Sequence, residues 1–554
     1  MFNSKQKQLF SKNKKTQISG NVFITEATKS TSVTRSENGA KKYTTTGSEF
    51  VDQFSNLGNY KTPRSFADIS RDMSTLWAIN PFMTVAFTLF IRIITRTTML
   101  FTGKKTETTQ RGAGLRYEGI MRMMWLHIYH KDIFWNNIHL FISAGSWKDI
   151  IMMLSYDLQY NGWDKRQLDW NQFGKLILSG LENPNHSELI KKYLPQIKSN
   201  NKCNTLEAQA DNIIAKWICS LLFGEKDNAN TYKKYRMLKS KGTAHQWQQL
   251  ISQSKHNLVD FNTVHGRALS LLVSGKYLTN QGLESKYQEF IESKPIAKYT
   301  GYVHELFEKI THSMPKYQID TLNSQFKGLV ETAKTNATTT TGMIVVRDTS
   351  ASMSSLAIGT KTSCGNVAKA LALFFNEMLP DGVFSNNWIE FNSTAKMYQW
   401  NGSTPYEKWV NDRSSYIGDT NFQSVIDLLC SIKSKDIDES EFPSGIICIS
   451  DMEFNPSSLN QTNVSSALDK LRGVGFSDQY INNFKIVLWD LGRKNKQTKF
   501  ETYDNVKNTF YFSGFDGSIM AFLTGVEGAE MTPQNAQELF NASMDQELMQ
   551  MIQL

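Results

Sequence analysis

Residues 343–352 read Met-Ile-Val-Val-Arg-Asp-Thr-Ser-Ala-Ser, an apolar run that ends in Asp348, Ser350 and Ser352. A β-branched apolar run bounded by small polar residues predicts a buried strand. The loop after such a strand lies at the carboxyl edge of a parallel sheet, where open α/β folds bind ligands. One carboxylate and two hydroxyls, spaced two residues apart, can turn there toward a single point. All are hard oxygen donors, suited to Mg²⁺, Mn²⁺ or Ca²⁺ and not to zinc. Alone the triplet is a weak motif, and a polar turn after a strand is its plain alternative.

Two later segments strengthen it. Residues 445–455 read Gly-Ile-Ile-Cys-Ile-Ser-Asp-Met-Glu-Phe-Asn, a second apolar strand ending in Asp451. Between the two, Ile417-Gly418-Asp419-Thr420-Asn421-Phe422 precedes a helical run over Gln423–Ile432, so Thr420 sits in a glycine-bearing loop that opens a helix. The order Asp-x-Ser-x-Ser, Gly-x-Thr, strand-Asp resembles the metal-ion-dependent adhesion site (MIDAS) of von Willebrand factor A domains. The resemblance implies Ser350, Ser352 and Thr420 as direct or near-direct ligands. Asp348 and Asp451 would act directly or through water, and a sixth position would take the acidic side chain of a protein partner. The implied cofactor is a divalent cation, Mg²⁺ first, with Mn²⁺ or Ca²⁺ as alternatives.

The surrounding pattern is what such a site needs. Gly365–Leu379 carries a helical stripe of Val367, Ala370, Leu371, Leu373, Phe374 and Met378. Trp388–Phe391, Phe484–Trp489 and Phe510–Ser513 read as further strands, and a helix follows from about Gly517 to Leu523. Strands alternating with helices predict a doubly wound α/β domain, mostly parallel and covered on both faces, over residues 336–528. Arg347, beside the metal aspartate, either pairs with a carboxylate of the site or points to the rim.

A chain of 554 residues exceeds one core, and its length predicts about three to four domains. The five cysteines have neither C-x-x-C nor zinc spacing, so buried reduced thiols are expected. Met1–Lys15 is polar and basic, without the apolar core of a signal peptide. Trp77–Ile91 is broken by Asn80 and Pro81 and closed by Arg92 and Arg96, short of the roughly 20 apolar residues a membrane span needs. A soluble cytoplasmic protein without membrane contact is the expectation. Net charge is +9, the α/β segment is slightly acidic and nothing after Gly525 is basic, so the excess lies in the first 340 residues. That asymmetry suits a polyanionic partner, or merely aids solubility.

Residues 1–70 are rich in Ser, Thr, Lys, Asn and Gly, which predicts a flexible basic arm. Residues 71–335 are helical in pattern, with stripes near 82–100, 115–129, 131–143, 146–156, 170–181, 186–193, 205–223, 245–253, 263–274 and 283–292, and no clear strand. The lack of a strict period predicts an irregular helical repeat of HEAT-like kind. Residues 331–341 read as a polar linker, and 529–554 as a carboxyl-terminal helix docking back on a domain.

The helical half also carries a resemblance. Asn80-Pro81, Ile91-Arg92, Gly114–Tyr117, Ala144–Asp149, Ala215-Lys216-Trp217, Tyr232–Leu238 and Val259-Asp260-Phe261 together resemble a divergent TROVE module, the helical ring of Ro autoantigen-type RNA-binding proteins. The pairing with an A domain resembles an uncharacterised cellular and viral family of that architecture, in which Ser450–Phe454 has a counterpart. The resemblance implies binding of structured RNA or single-stranded RNA ends, with basic side chains on phosphates and aromatics on bases. Candidate contacts are Arg92, Arg96, Lys104, Lys105, Arg111, Arg116 and Arg122, and a second group of Lys233, Lys234, Arg236, Lys239 and Lys241. A ribonucleoprotein factor is thus expected, with a metal-dependent interaction or assembly factor lacking an RNA role as the alternative.

No catalytic constellation emerges. His127 and His130 can share a helix face, but no third ligand or catalytic glutamate keeps metalloprotease spacing. There is no Walker loop and no Gly-x-Ser-x-Gly elbow, and Gly112-Ala-Gly lacks a preceding strand. Asp451 and Glu453, two apart on a strand, could act as acid and base, but supporting a metal is the simpler use.

Overall fold

The computed structural model describes residues 33–102, 104–199, 203–224, 229–241, 246–264, 266–293, 299, 301–311, 313–334, 342–378, 384–458, 460–491, 499–503, 507–524 and 533–554; within the strands at 96–102 and 104–108 only the backbone is described. A helical region precedes an α/β region built on a six-stranded mixed sheet.

Among the described residues ten strands run in chain order: β1 (Val33–Arg35), β2 (Lys41–Tyr43), β3 (Ile94–Thr102), β4 (Lys104–Ala113), β5 (Met343–Asp348), β6 (Asn387–Phe391), β7 (Ala395–Gln399), β8 (Gly445–Ser450), β9 (Lys485–Asp490) and β10 (Thr509–Ser513). The large sheet has the order β10-β9-β8-β5-β6-β7. Every pairing in it is parallel except the antiparallel edge pair β6–β7. All residues of β5 and β8 are buried, as their unbroken apolar runs demand of strands covered on both faces. From β5 the chain builds outward through β6 and β7, then returns to lay β8 on the other side of β5. The direction of strand addition therefore reverses between β5 and β8, and that crevice is where such sheets hold ligands. The loops leaving these two strands begin at Asp348 and Asp451.

Helices follow most of the expected stripes between 66 and 334. The apolar stretch at 77–91 is split into two of them. Asn80 accepts from the Met83 amide at 3.0 Å as N-cap, with Pro81 in the first turn, a standard helix start. No helix among the described residues is long and apolar enough to cross a membrane.

Three expectations are corrected. The helix expected over 82–100 ends at Arg92, and β3 and β4 follow as an antiparallel hairpin in a region expected to lack strands. The β-branched Ile93, Ile94, Thr95, Thr97 and Thr98 crowd a helix and suit a strand. The polar linker starts later than expected, because helix Lys316–Lys334 runs through its first four positions; residues 335–341 lie outside the described residues. The arm is folded from residue 33 onward, while 1–32 lies outside the described residues.

That folded arm joins the two regions. Phe54 on helix Glu49–Ser55 lies 5.5 Å from Phe90 of the helical region, 6.4 Å from Phe512 on β10 and 5.8 Å from Phe540 on helix Ala536–Met544. Phe540 also meets Phe50 and Phe87. One aromatic core is thus shared by arm, helical region, sheet and carboxyl terminus. The Asn137 side chain exchanges hydrogen bonds with the Gln553 backbone at 2.5 and 2.8 Å, which seats the chain end on the helices. A smaller separate core around Phe261, Leu278 and Tyr287 holds helices Gly266–Ser274 and Glu284–Ser293.

Candidate metal centre and basic surfaces

The loop after β5 turns back on its own aspartate. Asp348 accepts from the Ser350 amide at 2.8 Å and from the Ser450 hydroxyl at 2.5 Å. The Ser350 and Ser352 hydroxyls are 3.1 Å apart. Asp348 and Ser350 are fully buried, and Thr420 and Asp451 nearly so. Burial and the neighbouring Asp451 charge push the Asp348 carboxyl up to about 7, against the hydrogen bonds it accepts.

Backbone bonds tie the three loops together. The Ile417 amide donates to the Thr349 carbonyl at 3.0 Å, and the Ala351 amide to the Gly418 carbonyl at 3.2 Å. The Asn455 amide donates to the Thr420 carbonyl at 2.9 Å. Gly418 has φ +80°, and a Cβ there would stand 2.7 Å from the Ser393 hydroxyl, so the position requires glycine on both counts. The segments carrying Asp348, Ser350, Ser352, Thr420 and Asp451 are therefore laced at the sheet's switch point. Ile417, 63% exposed, gives their rim an apolar edge.

The donor set fits a hard divalent cation. It offers hydroxyls and two closely placed carboxylates whose mutual repulsion a cation would relieve. Among the described residues no group of three or more His, Cys, Asp or Glu could hold a metal, so the soft or nitrogen-rich set that zinc favours is not present there.

Arg347 takes neither of its two alternatives: the carboxylate it pairs with, Asp412, is not one of the candidate ligands, and the side chain does not reach the rim. It is fully buried, bonds Asp412 at 2.6 Å and Ser414, and lies over the Trp388 ring at 3.9 Å. Burial would raise the Asp412 carboxyl, but the Arg347 guanidinium and Lys369 hold it down at about 2. The network pins the chain a few residues before the Thr420 loop. Sequence reasoning did not reach Asp412 or Ser414, which lie 65 and 67 residues from Arg347. It quoted Ser450 without assigning it a role; its hydroxyl also accepts from the Met452 amide at 3.0 Å.

The basic candidates divide. Arg92, Arg111 and Arg122 are buried, and this corrects their assignment to RNA. Arg92 pairs with Asp149 at 2.6 Å, Arg122 with Glu118 at 2.9 Å, and Arg111 donates to the Thr332 carbonyl at 3.3 Å. A guanidinium spent on an internal carboxylate or carbonyl has no face for phosphate. Arg116 is partly exposed and bonds Asp149 at 3.1 Å. Arg96, Lys104 and Lys105 lie on the β3–β4 hairpin, and their side chains are outside the described set. Lys233, Lys234, Arg236 and Lys241 are exposed on or just after helix Ala229–Ser240, whereas Lys239 is half-buried and donates to the Lys192 and Leu194 carbonyls. His127 is buried, its imidazole pushed down to about 4 by burial, and accepts from the Asp169 amide at 3.3 Å. His130 stacks on Trp77 at 3.7 Å. Both histidines serve packing.

Residues 342–551 match a family described as a domain of unknown function, DUF7788. The match runs past the expected boundary at 528 and takes in the terminal helices, of which Ala536–Met544 packs on β10 of the sheet. No curated protein sequence matched the chain. The crystal structure of the Deinococcus radiodurans Ro (RSR) protein aligns at 10% identity and a TM-score of 0.30, over 77% of this chain and 87% of that one. At that score the likeness carries no argument about fold or function.

Proposed function

We propose that the chain is a non-catalytic binding protein whose α/β region is a von Willebrand factor A-type domain, gripping an acidic side chain of a protein partner through a bound Mg²⁺. The observation that carries this is the lacing of three loops at the switch point between β5 and β8, with Asp348, Ser350, Ser352, Thr420 and Asp451 on them. Ser350, Ser352 and Thr420 would hold the cation by their hydroxyls, and Asp348 and Asp451 would balance its charge. A bound cation would supply an open position for a carboxylate. The chain's own residues orient the donors: Ser450 and the Ser350 amide fix the Asp348 carboxylate, and Arg347 anchors the approach to Thr420. The test is a thermal melt of the full chain with Mg²⁺, Mn²⁺ or EDTA. The wild type should melt higher with cation; Asp348→Ala should lose that increment and keep its EDTA melting point. Equal increments in both would end the reading.

A second activity, RNA binding by a TROVE-like helical half in a cytoplasmic ribonucleoprotein, is favoured by the exposed set Lys233, Lys234, Arg236 and Lys241 and by the positive charge of the first 340 residues. The name of the Ro protein adds no weight here, given the TM-score. Filter binding of single-stranded RNA at several salt concentrations tests it. Each phosphate contact should contribute about 0.7 log units of affinity per tenfold salt. Replacing the four residues by Ala should weaken binding and flatten the slope, while Asp348→Ala should leave both unchanged. Absence of salt-sensitive binding would leave the protein-interaction function alone.

A further inference from the structure

The loop carrying Asp451 is held from more than 400 residues away. Between and on β1 and β2, four residues reach its backbone or side chains. The Ser36 hydroxyl donates to the Phe454 carbonyl at 2.7 Å, and the Asn38 side-chain NH₂ to the Glu453 carbonyl at 2.6 Å. The Glu37 backbone N–H donates to the Glu453 carboxylate. Lys42 donates to the Met452 carbonyl at 2.8 Å, pairs with Glu501 at 2.9 Å and lies 4.5 Å over the Phe454 ring. Lys42 and Glu501 are each 1% exposed.

These contacts fall on the three residues immediately after Asp451. The first, Met452, has φ +61°, a left-handed conformation that a side-chain-bearing residue keeps only where its surroundings enforce it. Its amide is bound to the Ser450 hydroxyl, which in turn donates to Asp348, and the loop's next residue, Asn455, binds Thr420. The hairpin thus holds a segment that is itself tied to both of the other ligand loops.

We propose that residues 33–43 are a positioning element of the metal site, so that the α/β region binds its cation weakly unless the amino-terminal hairpin is docked. The inference rests on the cation reading above. Two three-residue strands are marginal alone, so the hairpin can open locally without global unfolding, and its release would loosen the Asp451 loop. By linkage, cation binding and hairpin docking strengthen each other by the same factor.

The test is Mn²⁺ titration of the full chain by calorimetry, held well below every variant's melting point in EDTA. Ser36→Ala/Asn38→Ala removes two donors to the loop and leaves the Lys42–Glu501 pair; Lys42→Met removes the deeper anchor. The expected result for the double variant is a Kd higher by roughly 10- to 100-fold, the range seen when supporting residues of metal ligands are removed. Amide hydrogen exchange on the wild type reads the reciprocal effect, with residues 36–43 more protected in Mn²⁺ than in EDTA. That measurement holds even if Lys42→Met fails to fold. Wild-type Mn²⁺ affinity in the double variant, or hairpin protection indifferent to Mn²⁺, overturns the inference and leaves the metal site standing. A wild type that binds Mn²⁺ no better than Asp348→Ala overturns both.

Discussion

Replacing Arg347 by Met should test how the sheet region anchors its candidate site. The guanidinium is fully buried and bonds Asp412, whose side chain is 8% exposed, at 2.6 Å. Removing it leaves a buried carboxylate with Lys369 at 3.6 Å as its remaining cation. Breaking a buried pair in this way costs about 3–5 kcal/mol; the surviving lysine argues for the lower end. The electrostatics of Asp412 give a second figure. Asp412 is held at about 2 from an ordinary 3.8, which is worth about 2 kcal/mol of stability, in order of magnitude. Because the folded carboxyl is depressed, that stability is complete above the unfolded value and is lost as pH falls through the folded one. In the wild type that contribution is therefore constant from pH 7 to 5 and lost between about pH 4 and 2; in Arg347→Met burial opposed mainly by Lys369 raises the Asp412 carboxyl, so the gap starts to narrow at the higher pH where that carboxyl protonates. Urea denaturation followed by tryptophan fluorescence at stepped pH measures this. A gap below about 1 kcal/mol at pH 7, the scale of an exposed pair, or one that does not narrow as pH falls to 2, would refute the reasoning.

Two further outcomes follow from the geometry. Gly418→Ala places a Cβ at φ +80° and 2.7 Å from the Ser393 hydroxyl, so it should cost about 1–2 kcal/mol and weaken the cation-dependent rise in melting point; an unchanged rise would show that this loop does not set the site. Arg92→Ala leaves the buried Asp149 with the partly exposed Arg116, at 3.1 Å, as its remaining cation and should lower stability by about 3 kcal/mol, the lower end for a broken buried pair, seen as a shifted urea midpoint. A stable Arg92→Ala protein with weakened RNA binding would restore the original assignment.

The site-bearing half of the fold was legible in the chain because its strands are unbroken apolar runs. Met343–Asp348 and Gly445–Ser450 read as buried strands and are buried along their full length; helix Cys364–Met378 follows its stripe. Edge strand β7, Ala-Lys-Met-Tyr-Gln and mostly exposed, has no such run and went unseen. The β3–β4 hairpin was hidden by the apolar helix ahead of it, whose stripe seemed to continue through Ile93 and Ile94. The strands of the amino-terminal hairpin are three residues each, too short for any period to register.

Among the candidate residues, type and spacing together with the resemblance to a metal-ion-dependent adhesion site singled out Asp348, Ser350, Ser352, Thr420 and Asp451, because the chemistry of hard oxygen donors depends on residue identity and on which strand ends carry them. The bonds between their loops depend on strand order, which no local pattern encodes. Charge was the least legible property. Arg92 and Lys233 look alike along the chain, yet one is closed off by Asp149, 57 residues distant, while the other is exposed. A basic residue's partner is decided by which carboxylate the tertiary fold brings within 3 Å, and desolvation makes that partner obligatory once the side chain is buried. For the same reason the arm read as flexible by composition. The apolar residues of its helix Glu49–Ser55, Phe50, Val51 and Phe54, find burial in a core assembled from the helical region and the far end of the chain.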